Sequence, residues 1–332
     1  LSPLFTRLMP EVPANHPAIS SMTLNLSANI LGLDNAATPL GIKAMKDLQS
    51  LNPTPAIASN AQILFLVLNT SSVTLFPVTI LLYRAQLGAP DPAAVFVPIL
   101  IATSCSTLAG LLVTGWVQRI NFRDTVVLSC LGLMFALLLS LVAYLGTLSA
   151  QELQRQSSLV SNLLIISLVI LFLVVAHRRA VNVYETFIEG AKQGFETAIG
   201  IIPYLLAMLV AIGVFRASGA LDILLDVVRS LVALLGADTR WVDAMPTALM
   251  KPLSGSGARA MMIDTMNTFG VESFQGRLAA TMQGSTETTF YVLAVYFGSV
   301  GIRHARHALA CGLAADFAGI VAAVVVAYWF YG

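Results

Sequence analysis

Charge is what this sequence has least of. Only 11% of its 332 residues are Asp, Glu, Lys or Arg, while 57% belong to the apolar set. Soluble domains carry roughly 25% charged residues. Mean hydropathy is +0.82, and a chain this apolar cannot cover a water-soluble surface. The few charges balance to +1, which leaves no basic face for a nucleic acid. Cysteine is as sparse: Cys105, Cys130 and Cys311 stand in unrelated apolar contexts. That excludes a disulfide scaffold and a thiolate metal cluster. The four histidines are scattered or sit beside arginines, so no metal site is expected. There is no G-x-x-x-x-G-K-[ST] loop, and Gly255-Ser256-Gly257 follows Ser254, so G-x-S-x-G is not met either. The chain is not expected to hydrolyse ATP, to be an enzyme or to carry a cofactor.

What remains is a set of long apolar runs. A spanning helix needs about 20 mostly apolar residues. Val97–Val117, Thr125–Gly146, Leu159–Val175, Thr197–Phe215 and Ala308–Phe330 qualify. The expected fold is therefore an all-α, polytopic integral membrane protein. Arginines mark the sides. Arg119, Arg123, Arg178 and Arg179 put their loops inside, and Thr147–Ser158, with Arg155 alone, lies outside. The chain opens at Leu1, and further helices are expected upstream.

Four other segments have apolar ends and small polar centres: Asn25–Ala44, Ile63–Leu82, Ala248–Ile263 and Leu278–Val300. They form two pairs. Laying LNTSSVTLFPV over MQGSTETTFYV matches Ser71, Thr74, Phe76 and Val78 to Ser285, Thr288, Phe290 and Val292. Upstream, the break at Gly32–Ala36 corresponds to Ser254–Ala258. Downstream, Leu108–Gly110 corresponds to Phe317–Gly319, which sets Thr107 opposite Asp316. Three matches in one order indicate a duplicated unit. Arg303, His304, Arg306 and His307 start the last span inside, so the two repeats are expected to be inverted, with re-entrant or broken helices. That arrangement places a transporter's substrate site at the midplane.

Freed backbone groups at membrane depth must be buried in protein or line a wet cavity. The expected substrate-binding residues are therefore the polar centres: Asp34, Asn35, Asn69, Ser71, Ser72, Ser254, Ser256, Gln283, Ser285, Thr286 and Glu287. Asn25 and Asn29 share a helical face with Asp34 and Asn35; interhelical hydrogen bonds are the alternative for them. Glu287 is the only charge in its cluster and, with Asp316, a candidate for coupling to Na⁺ or H⁺. A salt bridge from Glu287 to Lys251 or Arg259 is its alternative role. Asp316 could instead pair with an arginine.

The opening LSPLFTRLMPEVPANHPAISSMTLNLSANILGLDNAATPLGIKAM and then FLVLNTSSVTLFP resemble the spore maturation A family of bacteria. From about Tyr184, FIEGAKQGFETAIGIIPYLLAMLVAIGVFRASGALD, MKPLSGSGARA and GSTETTFYVLAVYFGSVGI resemble the spore maturation B family. Both lie in the nucleoside-recognition or gate superfamily, which is similar to concentrative nucleoside transporters. The resemblance implies a fusion: an A-like gate repeat over 1–123, a two-helix connector over 124–180 and a B-like gate repeat over 181–332. It implies a multi-pass protein of the bacterial cytoplasmic membrane. Its partners would be the lipid bilayer, a small polar solute with Na⁺ or H⁺, and in one arrangement further copies of itself; no nucleic acid is among them. Four readings follow: a transporter or exporter of that solute, a membrane scaffold or channel gate acting with a partner, a lipid flippase, and an intramembrane hydrolase using Ser256.

Overall fold

A computed structural model describes residues 2–71 and 73–332; the side chains of residues 2, 34–36, 150, 193, 197, 198, 200, 201, 204, 205 and 208 lie outside the described set. The described residues form helices and no ladder of strands. In chain order these are α1 (Ser2–Leu8), α2 (Pro17–Ile30), α3 (Asp34–Gln49), α4 (Asn60–Thr70), α5 (Val78–Gln86), α6 (Phe96–Val117), α7 (Thr125–Leu145), α8 (Ala150–Arg178), α9 (Val183–Ala217), α10 (Ala220–Leu234), α11 (Met245–Met250), α12 (Gly255–Phe269), α13 (Phe274–Gly284), α14 (Thr289–Gly298) and α15 (Ala308–Tyr331). Short 3₁₀ turns at Pro92–Val95 and Arg240–Ala244 lead into α6 and α11.

Side-chain caps set several of these starts. Ser59 and Ser149 form capping boxes with Gln62 and Glu152, and Ser273, Ser254, Asn182 and Asp124 each accept a first-turn N–H. Such a cap is worth about 1 kcal/mol. Among the described residues, four helices are long and apolar enough to cross a membrane: those within Pro92–Val117, Thr125–Leu145, Gln151–Arg178 and Ala308–Tyr331. The expected span Thr197–Phe215 falls inside α9, several of whose side chains are outside the described set. The chain is an all-α, multi-pass membrane protein.

The centre of the fold is the pair α6 and α15. The start of α6 packs on the end of α15 through Phe96, Val97, Ile101, Val326 and Phe330. The end of α6 meets the start of α15, where Gln118 Nε2 and His307 Nε2 are 3.1 Å apart. The two helices are therefore antiparallel. Midway, Ser106 Oγ donates to the Ala315 carbonyl at 2.9 Å. Small residues permit this approach. A Cβ on Gly319 would lie 2.7 Å from Thr286 Cγ2, and one on Gly110 would lie 2.9 Å from Val67 Cγ1.

Against this pair lie two interrupted helices, α4–α5 and α13–α14. Their pieces have 11, 9, 11 and 10 residues. At 1.5 Å per residue each piece covers about half of a hydrocarbon core of about 30 Å. The hairpin α2–α3 packs on α4 and α14, and α11–α12 pack on α13. α9 and α10 lie outside α12, while α7 and α8 present apolar faces outward, with few buried residues.

Two expected breaks shift. The first is Leu31–Leu33, not Gly32–Ala36: Asp34 already begins α3. The second is Lys251–Ser254, not Ser254–Ala258: Ser254 caps α12 through the Gly257 N–H at 3.1 Å, so the glycines form its first turn. The turn needs Gly32 itself, which has φ of 67° and approaches the Phe76 carbonyl too closely for a Cβ.

Candidate functional site

In each half, the break of the hairpin is tied to the break of the interrupted helix by one backbone hydrogen bond. The Leu75 N–H donates to the Ile30 carbonyl at 2.8 Å, and the Phe290 N–H donates to the Pro252 carbonyl at 3.0 Å. A third bond joins the halves: the Glu287 N–H donates to the Thr70 carbonyl, freed at the end of α4, at 2.7 Å. These three bonds satisfy backbone groups that lipid could not. They also hold Glu287 where the two halves meet.

A cleft of about 590 Å³ opens on one side of this junction, lined by Asn29, Asn69, Ser254, Ser256, Arg259, Glu287, Tyr291 and Tyr296 among others. On the other side lies a hollow of about 80 Å³ lined by Gly32, Thr74, Lys251, Gln283, Thr286 and others. Gly255, Arg259 and Glu287 line both. The cleft is large enough for a small solute.

A side-chain network fixes its far wall. Asn29 Nδ2 donates to Asn69 Oδ1 at 2.8 Å, and the Tyr296 hydroxyl donates to the same oxygen at 3.2 Å. Asn69 Nδ2 is returned to the Phe65 carbonyl at 2.8 Å. Asn25 Nδ2 donates to the Ala37 carbonyl at 2.8 Å and approaches the Tyr296 hydroxyl at 3.3 Å. Asn25 and Asn29 thus make the interhelical bonds.

The charges at the junction are not paired. Among the described residues, Lys251, Arg259, Glu287 and Asp316 form no ion pair within 4.0 Å. Lys251 is only 4% exposed, and its ammonium makes no hydrogen bond among the described residues. Arg259 holds its guanidinium 5.9 Å from the Tyr83 ring centroid, a cation–π contact, and its buried Nε has no acceptor. Asp316 is 1% exposed: Thr289 Oγ1 donates to Oδ2 at 2.7 Å, and Oδ1 has no partner. The expected salt bridge from Glu287 to Lys251 or Arg259 is not formed.

The other expected site residues divide. Ser254, Ser256, Asn69 and Glu287 reach the cleft, and Gln283 and Thr286 reach the hollow, where Gln283 Oε1 and Thr286 Oγ1 are buried without partners. Ser71 and Ser285 do not reach either: both are fully buried and donate back to the Val67 and Met282 carbonyls at 2.8 Å. The Ser71 carbonyl in turn accepts from Thr107 Oγ1 at 2.5 Å. Asp34, Asn35 and Ser72 lie outside the residues whose side chains are described. Tyr291 and Tyr296 were not anticipated, because a tyrosine within the apolar run of α14 carries no signal in one sequence; Gly41, whose Cβ would fall 2.0 Å from the Tyr296 hydroxyl, is its distant companion.

The family model described as "Nucleoside recognition", the gate domain, matches residues 198–303. "Spore maturation protein B" of Bacillus subtilis (strain 168) is 47% identical over 154 residues, covering 46% of this chain and 85% of that protein. "Spore maturation protein A" of the same organism is 40% identical over 111 residues, covering 33% of this chain and 57% of that protein. No solved structure matches. The long, specific matches to both proteins, with the gate domain in the second half, establish that the chain belongs to the family of spore maturation proteins A and B.

Proposed function

We propose that the chain is a transporter or exporter of a small polar solute in the bacterial cytoplasmic membrane, with its site at the midplane between two inverted gate repeats. The observation that carries this reading is the set of charges without an ion-pair partner among the described residues, with Glu287 and Arg259 lining both the cleft and the hollow and Lys251 lining the hollow, between broken helices. Charges at membrane depth are costly and mark substrate and ion paths. The antiparallel α6 and α15, the equal half-helix lengths and the matched backbone bonds support the inversion. Counterpart helices that run antiparallel across a membrane are related by an axis in its plane.

Glu287 is the coupling group facing the cleft, and Asp316, buried behind it, is the second group that Na⁺ or H⁺ would neutralise. Ser256 faces the Ser254 hydroxyl at 3.3 Å and no base, which supports a binding role over a nucleophilic one. One observation favours lipid head groups as a second reading. A lateral cleft of about 700 Å³ between α5 and α8 combines Leu81, Leu82 and Leu159 with Arg155 and Asp91, and Val78 lines both it and the central hollow.

The test is water access. Ser256→Cys in a background lacking Cys105, Cys130 and Cys311 should react with a membrane-impermeant maleimide in proteoliposomes. Complete refusal of the reagent from both sides contradicts a solute site.

A further inference from the structure

We infer that the solute is a small organic anion that also carries an amino group, not a neutral nucleoside. This rests on the transport reading above and names the substrate class of the same site.

The cationic side of the site has three independent parts. First, the N–H groups of Gly255 and Ser256 at the start of the 15-residue α12 have no acceptor among the described residues, because the Ser254 cap takes only the Gly257 N–H. The two N–H groups that this cap leaves free at a helix start attract anions. Second, Lys251 is nine-tenths or more buried, makes no hydrogen bond or ion pair, and lines the hollow beside Gly255. Third, Arg259 stands one turn into α12 on both cavities, and its Nε is buried without an acceptor. Lys251, Gly255 and Arg259 all line the hollow, and Gly255, Ser256 and Arg259 line the cleft that adjoins it. An anionic group is the ligand that satisfies all three.

The opposing side has one carboxylate, Glu287, which also lines both cavities and is not paired with either cation. Asp316 is within electrostatic reach of Lys251 but lines neither cavity and forms no ion pair with it. It does not complete the wall in place of a solute. A neutral nucleoside would leave Lys251, Arg259 and Glu287 uncompensated at depth. A simple cation would satisfy Glu287 and be repelled by two neighbours. A carboxylate with an amino group satisfies both sides: the carboxylate on Lys251, Arg259 and the α12 start, the ammonium on Glu287.

The experiment uses Ser256→Cys in the cysteine-free chain in proteoliposomes, labelled with the impermeant maleimide in the presence of L-aspartate, succinate or uridine. Aspartate should slow labelling about tenfold at ten times its dissociation constant, succinate less, and uridine not at all. Adding Lys251→Met, or Arg259→Gln as the second variant should the first not fold, should weaken protection by both anions about tenfold or more. Adding Glu287→Gln should abolish the advantage of aspartate over succinate. Protection by uridine equal to or better than that by aspartate overturns the inference and leaves the solute site standing. Absence of protection by any probe, or protection unchanged in both cation variants, also overturns it. Failure of Ser256→Cys to react at all overturns the transport reading instead.

Discussion

Two regions of this molecule handle buried charge in opposite ways. Arg84, near the end of α5, is fully buried and makes four hydrogen bonds. Its Nε donates to the Pro92 carbonyl at 3.1 Å, Nη1 to Val271 at 2.9 Å, and Nη2 to Asp91 at 3.1 Å and to Glu272 Oε1 at 2.6 Å. Arg277 completes the cluster on the other Glu272 oxygen. This clamp ties the loop before α6 to the loop before α13, one from each half. At the junction of the two halves, Lys251, Arg259, Glu287 and Asp316 form no ion pair among the described residues: Asp316 is held only by the Thr289 hydroxyl, and Arg259 only by the Tyr83 ring. The chain thus has the means to neutralise buried charge where it builds rigidity. The unpaired set at the cleft is a feature of that place, not of a fold short of counter-charges.

Breaking the clamp should produce the largest effect. Arg84→Ala leaves the partly exposed Glu272 with one partner and takes the donor from three carbonyls, and each acceptor left unsatisfied in the interior costs about 1–3 kcal/mol. The expected result is a marked fall in the melting temperature of the detergent-purified protein. A melting temperature equal to that of the parent would erase the contrast.

The close approach at the junction comes next. Gly319→Ala would set a methyl 2.7 Å from Thr286 Cγ2 and 3.0 Å from the Ser285 carbonyl. Overpacking of this kind costs about 1–3 kcal/mol. Gly213→Ala in α9, with nothing within 4 Å, is the control; it should stabilise by about 0.4–1 kcal/mol. Equal behaviour of the two in thermal unfolding would contradict the packing described for α15.

A smaller effect sharpens the distinction between support and site. Ser273→Ala removes the cap of α13, for which Ser273 Oγ accepts the Gly276 N–H at 3.0 Å, and should cost about 1 kcal/mol. It should leave maleimide labelling of Ser256→Cys unchanged, since Ser273 is remote from the cleft lining.

Much of the fold is legible in the sequence. α6 and α15 coincide with their apolar runs to within about a residue, because a continuous run long enough to span is a strong signal. The pairing of Ser71 with Ser285 fell on the ends of α4 and α13, where both helices stop. The breaks at 32–36 and 254–258 were read a few residues late. Their glycines and serines suit an unwound tip and a helix start alike, and only the bond from Gly257 to Ser254 decides between them. The direction of the serines was not legible either: Ser256 turns to the cleft, while Ser71 and Ser285 turn back to their own helices. The far wall was the least accessible part. Tyr296 meets Asn69 across 227 positions of sequence, and no local pattern announces a contact of that range.

The measurement that tests the central claim most directly is the melting temperature of Glu287→Gln, taken beside Arg84→Ala in the same detergent. A carboxylate kept unpaired for a solute contributes nothing to holding the fold. The account therefore predicts a stability within about 0.5 kcal/mol of the parent, or above it. A fall approaching that of Arg84→Ala would show that Glu287 holds the two halves together through its side chain, and would contradict its place as a solute-facing charge.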